Sequence, residues 1–326
     1  MEHLEKLTEI FGNFYNWDYR RLPFLAMLIS SIIRSRSVNM HKVAENIEGE
    51  AETMSNYRRI QRLFKDQEFN YDETAKMLAK LLPCDDKWTL SVDRTNWKIG
   101  KKNINILVLA VTYKGMAIPL FWEFLTKSKE NEDTNVGKRG NSNTAERINM
   151  MKRFIRVFGK DKIEVLTADR EFIGEEWFKY LIDEDIPLVI RIRKNIKLED
   201  DFFDVQSVGE LFENIKYDEF YGYGKTDIFG NKLHIGGIKS KKSKEPIILV
   251  SNRKMSKETL QIYKKRWEIE TLFSALKKRG FNFEETKITD GYKIEKLMAL
   301  LTICFVWIIR CGEYKDEKKK LLLEKI

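Results

Sequence analysis

Apolar residues recur at helical spacing over the first quarter of the chain, which predicts a helical region from residue 1 to residue 83. The segments LPFLAMLISSIIRS (22–35) and YDETAKMLAKLL (71–82) each place apolar side chains every three or four positions. Apolar faces of this kind are typical of helices that pack on a common core. We therefore expect several helices before the first strand.

Between these two segments, SNYRRIQRLFKD (55–66) interleaves basic and apolar residues and predicts an amphipathic basic helix. Basic side chains along a helix favour contact with a phosphate backbone, although a solvated charged face produces the same pattern. The candidate phosphate contacts on this helix are Arg58, Arg59 and Arg62.

From residue 88 the apolar residues form short runs rich in β-branched side chains, which predict strands. The runs WTLSVD (88–93), NINILVLAVTY (103–113) and MAIPLFWEFL (116–125) predict three strands of an antiparallel meander. The elements predicted after them alternate as helix 144–159, a strand within 162–172 that ends at Asp169, helix 175–185 and strand 186–194. This order of β-β-β-α-β-α-β predicts an α/β fold built on a mixed sheet.

Residues 195–244 break the alternation, and their short strands and turns predict a β-rich insertion. The apolar run LMALLTICFVWII (297–309) is short for a membrane span and predicts a buried helix instead. The expected division of the chain is a helical region at 1–83, a first sheet segment at 84–194, the insertion at 195–244, a last strand and a helix at 245–290, and a C-terminal helix at 291–326.

The composition narrows the partners and the chemistry open to this chain. Lys and Arg total 59 against 50 for Asp and Glu, and the net charge of +9 favours a polyanion such as nucleic acid. The three cysteines form no CxxC pair, and three histidines are too few for a histidine-rich metal site, so a metal ion would need oxygen ligands. The N-terminal MEHLEKLTEIFG lacks a long apolar run, so we expect no signal peptide and a cytoplasmic location.

Three carboxylates stand at positions that suit a shared site. Asp93 and Asp169 each close a predicted strand, and Glu270 lies in a predicted helix at 261–279. Isolated acids at strand ends are commonly cap or loop residues, but sites on such sheets open where neighbouring strands end. Three acids without histidines match the ligands that hard divalent cations need, which favours two ions of Mg²⁺ or Mn²⁺.

The helix that carries Glu270 also presents a stripe of polar side chains along the edge of its apolar face. Tyr263, Arg266, Glu270 and Lys277 follow one another at offsets of three, four and seven residues, the spacing of neighbours on a helix. Two interpretations are open for such a stripe: a solvated boundary with ordinary ion pairs, or donors arranged around a ligand.

The pattern Y-x2-R-x3-E-x6-K formed by these four residues resembles the signature of bacterial insertion-sequence DDE transposases, more narrowly the insertion-sequence-four group. The resemblance extends from about residue 20 to residue 310. Supporting stretches are SNYRRIQRLF, SVDRTNW around Asp93, GKRGNSNT before residue 144 and TADREFIG around Asp169. Joined in this order, they are far more specific than the four-residue pattern alone.

The resemblance implies a ribonuclease H-like catalytic fold that is interrupted by the β-rich insertion and preceded by the helical region. It implies that Asp93, Asp169 and Glu270 are the catalytic residues and hold two ions of Mg²⁺ or Mn²⁺. The chemistry implied is metal-dependent cleavage at transposon ends, which in the family can pass through a hairpin, and strand transfer into target DNA.

The resemblance also implies how DNA is held. Tyr263, Arg266 and Lys277 would bind the phosphates of the transposon end next to the cut. Trp267 either packs against its own helix or fills the space that a flipped base leaves. The implied partners are double-stranded DNA, both transposon ends and target, and a second copy of the chain in a synaptic complex. Such a protein would be cytoplasmic and associated with the nucleoid.

Other polar residues near these motifs have open roles. Arg170 and Glu171 either orient Asp169 or are surface ions. The residues just past Asp93 either shape the site or turn the chain, and they are Thr95, Asn96 and Trp97. A polar loop before residue 144 is a candidate DNA contact through Lys138, Arg139 and Asn141 to Asn143.

Three functions are open from the sequence. The first is a transposase, the second a nuclease of the same fold without strand transfer, and the third a DNA-binding regulator derived from a transposase. The Tyr-Arg-Lys stripe disfavours the plain nuclease, because a general nuclease does not need to hold one defined end. The presence of all three acids disfavours the catalytically idle regulator.

Overall fold

The computed structural model of this protein describes residues 2–82, 86–99, 102–125, 142–198, 207–241 and 245–323. The helices that precede the first strand are α1 (Glu2–Phe14), α2 (Leu22–Ser35), α3 (Met40–Glu45), α4 (Thr53–Asp66) and α5 (Tyr71–Leu81). Asparagine side chains cap two of them: Asn39 accepts backbone N–H groups of α3, and Asn70 accepts those of α5. The helical region predicted from apolar spacing is confirmed.

An eight-stranded mixed sheet forms the centre of the molecule. Its strands lie in the order β3-β2-β1-β4-β5-β8-β7-β6. They are β1 (Trp88–Ile99), β2 (Lys102–Tyr113), β3 (Met116–Phe124), β4 (Ile163–Ala168), β5 (Leu188–Ile192), β6 (Phe220–Ile228), β7 (Asn231–Ile238) and β8 (Ile247–Ser251). Strands β1, β4 and β5 run parallel, while the meander β1-β2-β3 is antiparallel. This arrangement confirms the expected α/β, ribonuclease H-like class.

The remaining helices connect and cover these strands. They are α6 (Thr144–Phe158), α7 (Glu175–Asp183), α8 (Lys257–Lys264), α9 (Glu268–Ser274) and α10 (Gly291–Leu323). Helix α6 follows β3 and helix α7 follows β4, so the chain crosses over to make the parallel strands β4 and β5. Asn143 starts α6 with a capping box shared with Glu146.

Strand β1 is twice as long as predicted, and this changes the position of Asp93. The strand continues to Ile99 because the residues past Asp93 keep the alternation of a half-buried strand, with Thr95 and Trp97 buried and Asn96 exposed. The expectation that Asp93 closes the first strand is therefore wrong. The strand that ends there is the neighbour β4, whose last residue Ala168 pairs with Val92.

The β-rich insertion extends the main sheet. Within its described residues, β6 and β7 form a hairpin whose two-residue turn, Phe229 and Gly230, has positive φ at both positions. Strand β7 then pairs antiparallel with β8, which itself pairs with β5. The insertion therefore adds two strands to one edge of the main sheet.

The helix predicted at 261–279 is not a regular α-helix. Helix α8 ends at Lys264, a 3₁₀ turn spans Lys265–Trp267, α9 runs from Glu268 to Ser274, and a π-helical turn spans Ala275–Arg279. A 3₁₀ turn advances about 120° per residue where an α-helix advances about 100°. Side chains on either side of the turn are therefore displaced around the axis relative to an ideal helical wheel.

The C-terminal helix α10 explains the apolar run at 297–309. Its residues Leu297, Leu300 and Leu301 are fully buried, and the helix packs against α2, α5 and β3. One continuous apolar core contains side chains of the first helices, the sheet and α10. No helix among the described residues has the length and apolar character needed to span a bilayer.

Candidate active site

The three predicted carboxylates line one cleft of about 640 Å³. Asp93 and Asp169 come together through strand register: Val92 pairs with Ala168, and each acid is the next residue of its chain. Glu270 is supplied by α9, which packs across β3, β2 and β1. The remaining lining residues are Arg94, Thr95, Asn96, Arg266, Phe273, Ser274 and Lys277. The tertiary fold thus brings together residues that are far apart in the sequence.

Asp93 lies deep in this cleft and is strongly desolvated. Burial raises the pKa of its carboxyl to about 6, although the backbone N–H of Arg94 and the charge of Arg266 act in the opposite direction. The negative charges of Glu171 and Asp169 add to the increase in pKa. The site therefore concentrates negative charge in a place where cations are needed to balance it.

Arg266 provides that balance in the arrangement seen here. Its Nη1 lies 3.3 Å from Asp93 Oδ2, and its Nη2 lies 2.7 Å from Glu270 Oε1. The Arg266 side chain is only 4% exposed, whereas that of Glu270 is 55% exposed. A single buried guanidinium therefore links the acid of strand β1 to the acid of helix α9.

Tyr263 is buried, contrary to the expectation that it lies at the edge of the apolar face. It packs in a small cluster with Val165, Val189 and Leu249, and burial raises its pKa to about 12. The physical reason is the 3₁₀ turn that follows it, together with the close approach of α8 to β4 and β5. Its hydroxyl has no hydrogen-bond partner among the described residues.

Trp267 and Lys277, on the same helical segment, are more accessible than Tyr263 and Arg266. Trp267 is 41% exposed, and its ring meets that of Tyr263 edge-on at a centroid distance of 6.3 Å. Lys277 is half-buried and lines the same cleft as the three acids. The expected stripe is thus split into a buried pair, Tyr263 and Arg266, and more accessible residues beyond it.

A polar network that the sequence did not predict supports the segment after β4. Arg94 donates to both carboxylate oxygens of Glu171 at 3.2 Å and to Asn105 at 3.1 Å. Arg147 is buried and donates to the Glu171 carbonyl at 3.0 Å. Glu171 is therefore an anchored residue, while Arg170 is exposed. The available signal was that Arg94 and Glu171 each lie within two residues of a predicted site acid.

The residues just past Asp93 do not turn the chain, because they continue strand β1. Trp97 is buried and stacks obliquely on Phe283 at 4.2 Å, and Thr95 is buried as well. Asn96 is the exposed member of this group and lines the cleft. Asn143 caps α6, whereas the other polar-loop candidates Lys138, Arg139 and Asn141 lie outside the described residues.

The predicted basic helix is α4, and two of its arginines, Arg59 and Arg62, line a second cavity of about 190 Å³. Arg58 and Arg62 are exposed, whereas Arg59 is half-buried with its guanidinium 4.1 Å from the centre of the Phe24 ring. Burial lowers the pKa of Arg59, and the neighbouring charge of Arg62 lowers it further. The cavity is lined by Trp17, Arg20, Arg21, Phe24, Arg59, Arg62, Leu63, Asp66 and Gln67.

The carboxylates of the first cleft fit a divalent metal by donor type. Asp93, Asp169 and Glu270 offer oxygen ligands only, which is the set that Mg²⁺ and Mn²⁺ favour. Within the described ranges, no group of three or more His, Cys, Asp or Glu side chains is arranged to hold an ion. Arg266 lies between Asp93 and Glu270, and its guanidinium engages an oxygen of each.

A family model described as the transposase DDE domain matches residues 86–307. The chain therefore belongs to the family of transposase DDE domains, a class of DNA-acting enzymes. Among curated proteins none matches. Solved structures with similarity include an endonuclease V from Bacillus subtilis, with 8% identity, 77% of this chain and 96% of the other covered, and a TM-score of 0.29. Another is Marinitoga piezophila Argonaute in complex with 5′ OH guide RNA, with 12% identity, 76% of this chain and 34% of the other covered, and a TM-score of 0.24.

Proposed function

We propose that this protein cuts phosphodiester bonds at the ends of its own DNA element and joins the freed 3′-hydroxyl to target DNA. The observation that carries the proposal is the convergence of Asp93, Asp169 and Glu270 on one cleft in a chain of the transposase DDE family. The more general conclusion, that the protein is a transposase, follows from the family. Cleavage at ends and strand transfer are the proposal.

The proposed cofactors are two divalent ions, Mg²⁺ or Mn²⁺, held by these three carboxylates. When bound, such ions supply activation of the attacking oxygen and stabilisation of the leaving oxygen. The chain's own contribution is to fix the carboxylates on rigid elements. Asp93 lies within β1, and Asp169 lies at the end of β4 in a segment anchored through Glu171 and Arg94.

The proposed DNA contacts next to the cut are Arg266, Lys277 and Tyr263. Arg266 and Lys277 line the cleft and carry the charge that a phosphate requires. The Tyr263 hydroxyl is buried under Arg266 in this arrangement, so its contact with DNA needs a shift of that guanidinium. Trp267 presents an exposed ring beside them, which suits the proposed filling of a flipped base's place.

The arginines of α4 are proposed to hold the DNA backbone at a second place. Arg59 and Arg62 lie side by side at a cavity with Arg20 and Arg21, and Asp66 is the lone acid in its lining. Crowded guanidinium groups with so little opposing charge favour a phosphate ligand. A homodimer engaged with both transposon ends, in the cytoplasm and at the nucleoid, completes the proposal.

Cleavage of a labelled linear duplex that carries the element's own end, with Mg²⁺ or Mn²⁺, tests this function on a denaturing gel. We expect a cut at the element boundary that Asp93→Asn and Glu270→Gln both abolish, since each removes a proposed metal ligand. Both variants should still bind the end in a mobility-shift assay. A target plasmid in the same reaction should gain the labelled strand.

The outcomes separate the alternatives. Cuts scattered along the duplex, with no joining to the plasmid, would show a nuclease of the same fold. End binding without any cut by the unmodified protein would show a DNA-binding regulator. If cleavage survived both Asp93→Asn and Glu270→Gln, these residues would not be the proposed catalytic metal ligands.

A further inference from the structure

Arg266 depends on two acids that are also the proposed metal ligands. Its side chain is 4% exposed and contacts Asp93 at 3.3 Å and Glu270 at 2.7 Å. A guanidinium remains charged at all pH values at which proteins are folded, and a buried charge needs an opposite charge beside it. The two carboxylates supply that charge in the arrangement seen here.

A divalent cation and Arg266 therefore compete for the same oxygens. Asp93 uses Oδ2 for Arg266 and Oδ1 for the backbone N–H of Arg94, so neither oxygen is unengaged. A cation bound by Asp93 and Glu270 would also lie within ion-pair distance of the guanidinium. Like charges repel strongly in a desolvated cleft, so full metal occupancy requires Arg266 to find another partner.

A DNA phosphate is the partner that the surroundings of Arg266 favour. Arg266 Nε and the Tyr263 hydroxyl are both buried, and neither has a hydrogen-bond partner among the described residues. Buried polar groups without partners are costly, and both groups can donate to a phosphate oxygen. Since neither atom reaches solvent, a phosphate can meet them only after the guanidinium rearranges.

The backbone at this point suits such a rearrangement. Arg266 lies in the 3₁₀ turn Lys265–Trp267 between α8 and α9, and short 3₁₀ stretches inside helices frequently mark hinges. Glu270 is 55% exposed and can turn toward a cation, whereas Asp93 is held within a strand. Arg266 therefore has two sets of partners available and a local backbone that can serve both.

We propose that Arg266 couples metal binding to DNA binding. In the free protein it neutralises Asp93 and Glu270, and in the DNA complex it turns to a phosphate while divalent cations take over the two acids. Because such coupling is reciprocal, DNA raises the affinity for metal and metal raises the affinity for DNA by the same factor. This inference rests on the metal site proposed above.

Binding of Mn²⁺ to the DNA-free protein, followed by electron paramagnetic resonance of the free ion, tests the competition directly. Arg266→Gln should bind Mn²⁺ about tenfold more tightly than the unmodified protein, because the competing cation is gone. Arg266→Lys keeps the positive charge but lacks the forked guanidinium that contacts both carboxylates. Its Mn²⁺ affinity should therefore lie between those of the unmodified protein and Arg266→Gln. Arg170→Gln is the matched control: it removes one positive charge from the exposed residue next to Asp169 and should change the affinity less than about threefold.

Each outcome bears on the proposal. Equal or weaker Mn²⁺ binding by Arg266→Gln, in a protein whose circular dichroism shows it folded, would overturn the coupling. The same would follow if Arg170→Gln matched Arg266→Gln, since the effect would then be one of overall charge. If Arg266→Gln bound no Mn²⁺ at all, the metal site itself would be wrong as well. Cleavage activity plays no part in this readout.

The reverse effect, that of a divalent metal on DNA affinity, is measured by fluorescence anisotropy of a labelled duplex. The titrations are made at constant ionic strength, with Ca²⁺ or with EDTA. We expect Ca²⁺ to raise the DNA affinity of the unmodified protein by about fivefold or more, and that of Arg266→Gln by less than about twofold. A gel of the recovered duplex confirms that it stays intact. An equal Ca²⁺ effect in both proteins would overturn the coupling.

Discussion

At the scale of single residues, the site depends on charges that are matched in pairs. Asp93 and Glu270 are matched by Arg266, and Glu171 is matched by Arg94. The pair of Glu171 and Arg94 includes none of the three predicted site acids, yet it fixes the segment that carries Asp169. Glu171 and Asp169 are separated by one residue, so a shift of one moves the other.

Glu171→Gln should destabilise the protein and slow DNA cleavage. The pair with Arg94 is 21% and 13% exposed, so the change leaves a largely desolvated guanidinium without its acid. Loss of one partner of such a pair costs about 1–3 kcal/mol of unfolding free energy. Urea unfolding measures the first effect, and the rate of end cleavage by folded protein measures the second.

Arg170→Gln serves as the control for this prediction. Arg170 is the exposed neighbour, and substitutions at such positions change stability by about 0.5 kcal/mol or less. Equal destabilisation by Arg170→Gln and Glu171→Gln would mean that the bidentate pair is unimportant. If Glu171→Gln were as stable as the unmodified protein and cleaved DNA at the full rate, Glu171 would have no role in positioning Asp169.

At the scale of elements, the arginines around the cavity beside helix α4 differ in how far their charges are neutralised. Arg21 donates to Gln67, Arg59 to Asn56 and Arg62 to the carbonyl of Arg58. In the described part of the chain these three guanidinium groups donate to neutral oxygens and pair with no carboxylate. Arg20 is different, because it forms a pair with Asp18. The charge at this cavity is therefore only partly neutralised.

Arg59→Gln should weaken binding to duplex DNA and reduce its salt dependence. If Arg59 contacts one phosphate, the slope of log K against log salt concentration should fall by about 1. Fluorescence anisotropy between about 50 and 200 mM NaCl measures this slope. The effect should be similar for different duplex sequences, since a phosphate contact carries no sequence information.

Arg20→Gln removes the same charge from the same cavity and is the matched control. Asp18 already neutralises Arg20, so we expect a clearly smaller change in slope. Equal changes for the two variants would show a general charge effect and not a built phosphate site. No change for Arg59→Gln would place DNA elsewhere on the protein.

At the scale of the whole molecule, the N-terminal helices, the sheet and α10 share one apolar core. Helix α10 lies between them and contacts α2, α5 and β3. A shared core means that no segment can lose its packing without exposing apolar surface of another. The parts distinguished in the sequence should therefore unfold together.

Leu300→Ala should lower the stability of the entire protein in one transition. Leu300 is fully buried in α10, and truncation of a buried leucine to alanine costs about 2–5 kcal/mol. Differential scanning calorimetry should show a single endotherm for both proteins, shifted to lower temperature in the variant. Two endotherms with only one of them shifted would show that the helical region and the sheet unfold independently.

The sequence by itself determined the elements and much of the candidate site. Period-2 and period-3.6 apolar patterns report which face of a segment is buried, and that is a local property. The position of Asp169 at the end of β4 and the burial of α10 were predicted from these patterns. The three acids and their basic neighbours were also found in the sequence, through a resemblance as much as through chemistry.

Tertiary structure alone decided how these residues meet. The register of β1 against β4 puts Asp93 beside Asp169, although Asp93 lies inside its strand. The approach of α8 to the sheet buries Tyr263, and the 3₁₀ turn places Arg266 between two acids. Strand register and helix docking depend on contacts between distant parts of the chain, and a local pattern of apolar and polar residues contains no information on such contacts.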